Sequence, residues 1–149
     1  MAPPAFFDGA AGYQPGAPLR PADAEILLLA LVNRDRRTAG LPPLIADPAL
    51  AAVARAHSQD MLANGFVGHI SPTTGGPDER VKRAGIPFRH LAENVGRNSS
   101  VEELELGLMG SPGHRSAILD GQSIHVGIGV AIATPTPNEV VIYGTQLFR

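Results

Sequence analysis

Two histidines and one glutamate, each inside a distinctive short motif, are the residues of this chain best suited to a chemical site. His69 lies in the motif Gly-His-Ile-Ser-Pro, Glu93 in Ala-Glu-Asn-Val-Gly, and His114 in Ser-Pro-Gly-His-Arg. Two imidazoles and a carboxylate form an open divalent metal site, and they equally suit general acid–base chemistry. Because the three residues are far apart in sequence, they form a site only if the fold brings their segments to one cleft.

Other histidines and serines are weaker candidates. His57 falls on the apolar face of a predicted helix, where a histidine is more often a hydrogen-bonded core residue than a ligand. His90, beside an arginine, is expected to be exposed, and His125, at the start of a strand, to be structural. Ser71 and Ser111 lie beside the histidine motifs, but neither lies in the Gly-x-Ser-x-Gly turn that presents a nucleophilic serine.

The composition narrows the class of protein. A chain of 149 residues with 44% hydrophobic residues suits one globular domain. The net charge of −2 gives no electrostatic reason to expect nucleic-acid binding, which usually needs a clustered basic face. The absence of cysteine excludes disulfides, thiol nucleophiles and cysteine-based metal sites. The longest apolar run, residues 26–32, is too short for a transmembrane segment, and no basic region followed by an apolar stretch predicts a signal peptide within these residues.

Residues 1–21 differ from the rest and predict an arm or linker before a domain over residues 22–149. Five prolines and three glycines interrupt any helix or strand there. The segment also holds Phe6, Phe7 and Tyr13, three of the chain's seven aromatic residues. Two interpretations follow: the arm lies on its own domain, or it docks onto a protein partner.

Within the domain, helix signals come first and strand signals last. A first helix opens at Ala22 or Asp23 and ends at Gly40, with Arg34, Arg36 and Arg37 expected as charges near its C-terminus. Further patterns predict a helix from the Asp47 cap to Gly65, a strand or extended segment over 86–98, and shorter helices over about 78–84, after 99–100 and over 111–119. Alternating residues from 124 and again over 139–148 predict an antiparallel hairpin around a turn at 134–138. This order favours an α+β layered domain.

Seven segments, in order, resemble the CAP superfamily, also called SCP-like or pathogenesis-related-1-like domains. The similarity runs from about residue 23 to the end and matches a bacterial, cysteine-free member. The segments are VNRDR with AGLPPL (32–44), ARAHSQDM (54–61), GHISP (68–72), AENV (92–95), SPGHRSAIL (111–119), VGIGV (126–130) and TQLF (145–148).

The resemblance implies an α–β–α sandwich with a surface cavity lined by two histidines and two acids. Carried over, the histidines are His69 and His114, which bind zinc or another divalent ion in some members, and one acid is Glu93. The second acid is expected near Ser111, where this chain has serine, so the site is one ligand short. We expect His57 and Ser111 to line the same cavity.

Three functions remain open at this point. We favour an extracellular or periplasmic binding and interaction module, whose cavity holds a divalent metal or a small ligand. The alternative is a metal-assisted peptide or ester hydrolase, with zinc on His69 and His114 and Glu93 as general base. Lipid or sterol binding is the third, because the superfamily includes members of that kind.

Overall fold

The structure, a computed structural model, describes residues 18–149. Residues 1–17, with the aromatic side chains of the predicted arm, lie outside the described residues, so the arm and its docking stay predictions. The helices are α1 (Pro21–Thr38), α2 (Pro48–Asn64), α3 (Pro77–Arg83), α4 (Val101–Met109) and α5 (Pro112–Ile118). The strands are β1 (Ile45–Ala46), β2 (Ala92–Asn98), β3 (His125–Thr136) and β4 (Glu139–Phe148).

The strands form one sheet in the order β1-β3-β4-β2. β3 and β4 make the C-terminal antiparallel hairpin that the alternating pattern predicted, and β2 pairs antiparallel with β4. The reversal is tighter than expected, because Thr136 already pairs with Glu139. β1 pairs parallel with β3 and was not predicted, since two residues are too few to show a strand period.

Helices cover both faces of the sheet, which confirms the predicted α–β–α sandwich. α1, α4 and α5 enclose the larger core on one face, with residues such as Leu28, Leu104 and Ile128. α2 and α3 cover the other face, where Leu50 and Val81 pack against Leu147. No helix among residues 18–149 has the length and apolar character needed to cross a membrane.

Local signals explain where the helices begin and end. In α2, the Asp47 side chain accepts a hydrogen bond from the Leu50 amide, and Gly65 ends the helix with a left-handed φ of 68°. These are the predicted N-cap and C-cap. α1 begins at Pro21 rather than at Ala22 or Asp23, because proline suits the first helical position.

Two glycines on β3 let α2 lie directly on the sheet. A Cβ atom at Gly129 would overlap the backbone nitrogen of Arg55, and one at Gly127 would overlap the backbone of Leu50 and Ala51. A side chain at either position would therefore push the helix away from the sheet. This contact fixes the position of α2, and the loop that carries His69 follows that helix.

Arg36 lies in the last turn of α1, as predicted, and its side chain is buried. Its guanidinium donates to the carbonyl oxygens of Pro42, Ile118 and Asp120 at 2.8–2.9 Å. Burial lowers the pKa of Arg36 from its ordinary value. The last carbonyl oxygens of a helix have no hydrogen-bond donor within that helix. At the end of α5, the guanidinium of Arg36 from α1 provides the missing donors. Arg36 therefore ties the end of α5 to α1.

Candidate functional site

A cleft of about 410 Å³ lies along β2 at the edge of the sheet. It brings His69, Glu93 and His114 to one place. Their binding or catalytic roles stay predictions. The full lining is His69, Ala92, Glu93, Asn94, Ser111, Gly113, His114, Ser116, Ala117 and Asp120.

Strand alternation explains how β2 contributes to both sides of this cleft. Successive side chains of a strand point to opposite faces of the sheet. Glu93 contacts Arg80 of α3, whereas the next residue, Asn94, donates to the carbonyl oxygen of His114 in α5. One edge strand therefore supports the two histidine-bearing segments, one on each face.

Glu93 holds His69 in a defined orientation. One carboxylate oxygen of Glu93 lies 2.8 Å from Nδ1 of His69, and the other accepts from Arg80 at 2.8 Å. A carboxylate can only accept, so the His69 Nδ1–H donates, and the neutral ring keeps its lone pair on Nε2. The His69 side chain is 49% exposed, and Glu93 only 1%. The exposed ring can thus offer Nε2 to a ligand.

Arg80 holds both Glu93 and His69 in place, and it was not among the predicted site residues. Its guanidinium also donates to the carbonyl oxygen of His69 at 2.8 Å, so the main chain and the ring of His69 are both held. The Arg80 side chain is 5% exposed. Nothing in the local pattern separates it from Lys82 and Arg83, its exposed neighbours in the same short helix.

His114 has a different partner. Its Nδ1 lies 3.0 Å from the hydroxyl of Ser111, which occupies the N-cap position of α5 but makes no side-chain bond to that helix's backbone. Ser111 therefore lines the cleft where the second acid was expected, and it contacts the imidazole. Within residues 18–149, no three histidine, aspartate or glutamate side chains are placed to hold one metal ion.

Asp120 is the acidic residue that lines the cleft without having been expected there. Its Oδ2 lies 3.0 Å from Nε2 of His90, whose side chain is 30% exposed. His90, expected to be exposed, is instead half-buried against this carboxylate. Asp120 comes just after Leu119, the C-cap of α5, so the motif around His114 places it near the cleft. This spacing is the signal that could have identified it.

His57 does not line the cleft, which corrects the prediction. Its Nε2 lies 2.7 Å from the carbonyl oxygen of Gly68, and burial is the main cause that lowers its pKa. The buried imidazole of His57 on α2 therefore holds Gly68, the residue before His69, in place.

Ser71 also has a structural role, because its hydroxyl donates to Asp60 and accepts from the amides of Thr73 and Thr74.

The family model of the cysteine-rich secretory proteins, called CAP, matches residues 29–148 of this chain. The chain belongs to the CAP family. YkwD of Bacillus subtilis is 37% identical over 114 residues, which are 76% of this chain and 44% of that protein. The CAP domain described here therefore spans less than half of that relative.

Solved structures show the same fold. An extracellular protein containing an SCP domain from Bacillus anthracis is 30% identical, with a TM-score of 0.74 over 89% of this chain and 44% of the other. An outer surface protein of Borrelia burgdorferi has a TM-score of 0.72 at 19% identity, over 89% and 96% of the two chains. The second likeness shows the fold alone.

Proposed function

We propose that this CAP domain is an extracytoplasmic binding module whose cleft takes a divalent metal ion through His69 and His114. The observation that carries the proposal is the fixed tautomer of His69, whose Nδ1 donates to buried Glu93 and whose Nε2 is left as a ligand atom. A carboxylate behind a ligating histidine is the usual outer partner in metal sites.

The donor set fits a weakly bound ion rather than a tight structural one. Two imidazoles line the cleft, and Ser111 contacts the second of them. Zinc sites with catalytic or structural roles use three or four protein ligands. With two, the remaining positions would be filled by water or by donor atoms of a small ligand, which suits a binding module.

Metal-assisted hydrolysis has less support, because Glu93 is not placed as a free general base. Its side chain is 1% exposed, and both of its oxygens already accept hydrogen bonds. Lipid binding has no specific support either, since imidazole, hydroxyl, amide and carboxylate groups dominate the lining and only two alanines are apolar.

The relative from Bacillus anthracis supports an extracytoplasmic location, because it is described as an extracellular protein. A separate interaction role through residues 1–21 remains part of this proposal.

Zinc titration calorimetry at pH 7.5 tests the proposal. We expect one weak site in the wild type, loss of binding in His69→Ala and in His114→Ala, and unchanged binding in the control His125→Ala. Glu93→Gln should weaken binding by about 10- to 100-fold, as for other outer partners of metal ligands. The metal site would be refuted if the wild type did not bind zinc. It would also be refuted if a variant with both His69→Ala and His114→Ala still bound zinc.

A further inference from the structure

The fully buried carboxyl group of Glu105 on α4 interacts with the mostly buried carboxyl group of Asp35 on α1. Glu105 of α4 is 0% exposed, and its Oε2 accepts a hydrogen bond from Gln146. Its other oxygen, Oε1, is buried and has no hydrogen-bond partner among residues 18–149. The same is true of Oδ2 of Asp35 on α1, whose Oδ1 accepts from Arg34.

One proton satisfies both unpaired oxygens. A side-chain hydrogen bond with Asp35 is one of the causes that raise the pKa of Glu105, and two carboxyl groups can form such a bond only if one of them is protonated. Burial, and then the contact with Asp35, raises the pKa of Glu105 to about 8. The charged groups that act on Glu105 are Asp35 and Arg34, while Gln146 from β4 is neutral and acts in the opposite direction to Asp35.

A chain of side-chain hydrogen bonds connects this pair to His114. The Gln146 amide donates from Nε2 to Glu105 at 2.8 Å, which turns its Oε1 toward Asn94. Asn94 donates to that oxygen at 3.1 Å and to the His114 carbonyl oxygen at 3.0 Å. The pairing of β2 with β4 sets Asn94 directly opposite Gln146. Two side chains, those of Gln146 and Asn94, therefore connect Glu105 to the backbone of α5.

We propose that Asp35 and Glu105 share one proton at neutral pH, and that its loss in alkaline solution displaces the Gln146–Asn94 connection and with it His114. Once both carboxylates are charged, they must separate or admit water, since like charges in a buried site repel strongly. Gln146 then moves with Glu105, and the hydrogen bond that Asn94 donates to the His114 carbonyl oxygen changes. Glu105 is thus a positioning residue, and its regulatory role for the cleft rests on the proposed function.

Carbon-13 NMR of the metal-free chain from pH 5 to 10 tests this inference. We expect the Glu105 carboxyl signal to titrate near pH 8, and the carbonyl signal of His114 and the side-chain amide signal of Asn94 to shift with the same midpoint. In Glu105→Gln, which keeps the shape and the donor toward Asp35, these shifts should vanish. The matched control is Glu102→Gln, an exposed position on the same helix, which should leave them unchanged.

A second variant tests the pair itself. Asp35→Asn places an amide donor where Oδ2 lies, so it should move the Glu105 midpoint to lower pH by favouring the ionised form. A wild-type Glu105 signal that titrates near pH 4.5, or His114 and Asn94 signals that do not follow it, would overturn the inference. Because no metal is added, a failed zinc titration with a positive NMR result would remove the proposed function and leave the pH coupling intact.

Stability provides a measurement that does not depend on NMR assignment. Between pH 4.5 and 8 the folded chain keeps a proton on Glu105 that the unfolded chain releases, so this group makes the free energy of unfolding fall as pH rises through that range. Denaturant unfolding of Glu105→Gln should lack this decline, and Glu102→Gln should retain it. Equal pH profiles for wild type and Glu105→Gln would also overturn the inference.

Discussion

Replacing Arg80 by methionine tests how the cleft holds His69. The substitution removes the donors to both oxygens of Glu93 and to the carbonyl oxygen of His69. It leaves a carboxylate that is 1% exposed with His69 as its remaining partner. Methionine fills much of the same volume, so the change tests charge and hydrogen bonding more than packing.

The expected loss of stability is large. Removing one partner of a buried ion pair costs about 3–5 kcal/mol, because the other charge is left uncompensated. For a chain of this size each kcal/mol lowers Tm by roughly 2–4 °C, which gives a decrease of roughly 6–20 °C. Arg83→Met is the matched control on the same helix. Its side chain is exposed and, within residues 18–149, donates only to the Thr74 carbonyl oxygen, so we expect a change within about 0.5 kcal/mol.

A double-mutant cycle with Glu93→Gln separates the ion pair from general damage to the loop. In the double variant no charge is left buried, so its loss of stability should be smaller than the sum of the single losses by about 2 kcal/mol or more. The assay is urea unfolding of the four proteins at pH 7, followed by circular dichroism. Additive losses, or an Arg80→Met protein as stable as the Arg83→Met control, would refute the role given to Arg80.

Three shorter predictions concern the fold around the cleft. Gly129→Ala should destabilise the chain by about 3 kcal/mol or prevent folding, because its Cβ overlaps the backbone of Arg55; thermal unfolding measures this. Arg36→Met should cost about 2–4 kcal/mol in urea unfolding, because it leaves buried carbonyls without donors. Asp47→Ala should cost about 1 kcal/mol at pH 7. Burial acts to raise the pKa of Asp47, but the Leu50 amide and Arg149 outweigh it and lower the pKa, so this contribution should disappear as pH falls below about 4 in acid unfolding.

Features that depend on neighbouring residues in sequence were predictable. The Asp47 cap, Pro48 at the first helical position and the closing Gly65 determine α2 through local backbone geometry, and the structure has the same limits. The alternating pattern from residue 124 and over 139–148 predicted the antiparallel hairpin of β3 and β4. The motifs around His69 and His114 indicated the two segments that the cleft brings together.

Features that depend on distant partners were not predictable from local patterns. Arg36 and Arg80 occupy positions where most arginines are solvated, and only the carbonyls and the carboxylate that reach them from other elements make them buried. Glu105 falls on the same face of α4 as Val101, Leu104 and Leu108, so the helix period could have marked it as a buried acid. Its partner Gln146 lies on β4, and no local pattern shows that contact. A single sequence does not show which polar residues will be paired, because the partners lie far apart in the chain.

The two histidines are held through their main chains as well as their rings, and this arrangement favours binding over catalysis. Arg80 fixes the carbonyl oxygen of His69, and Asn94 fixes that of His114. Both supports lead to β2, directly through Asn94 and through the Arg80 contact with Glu93. The edge strand therefore sets the distance between the imidazoles, while the carboxylate that could have acted as a base is used to support one of them. In the proposed metal site, this arrangement would keep two ligand atoms in place and leave the remaining positions to whatever enters the cleft.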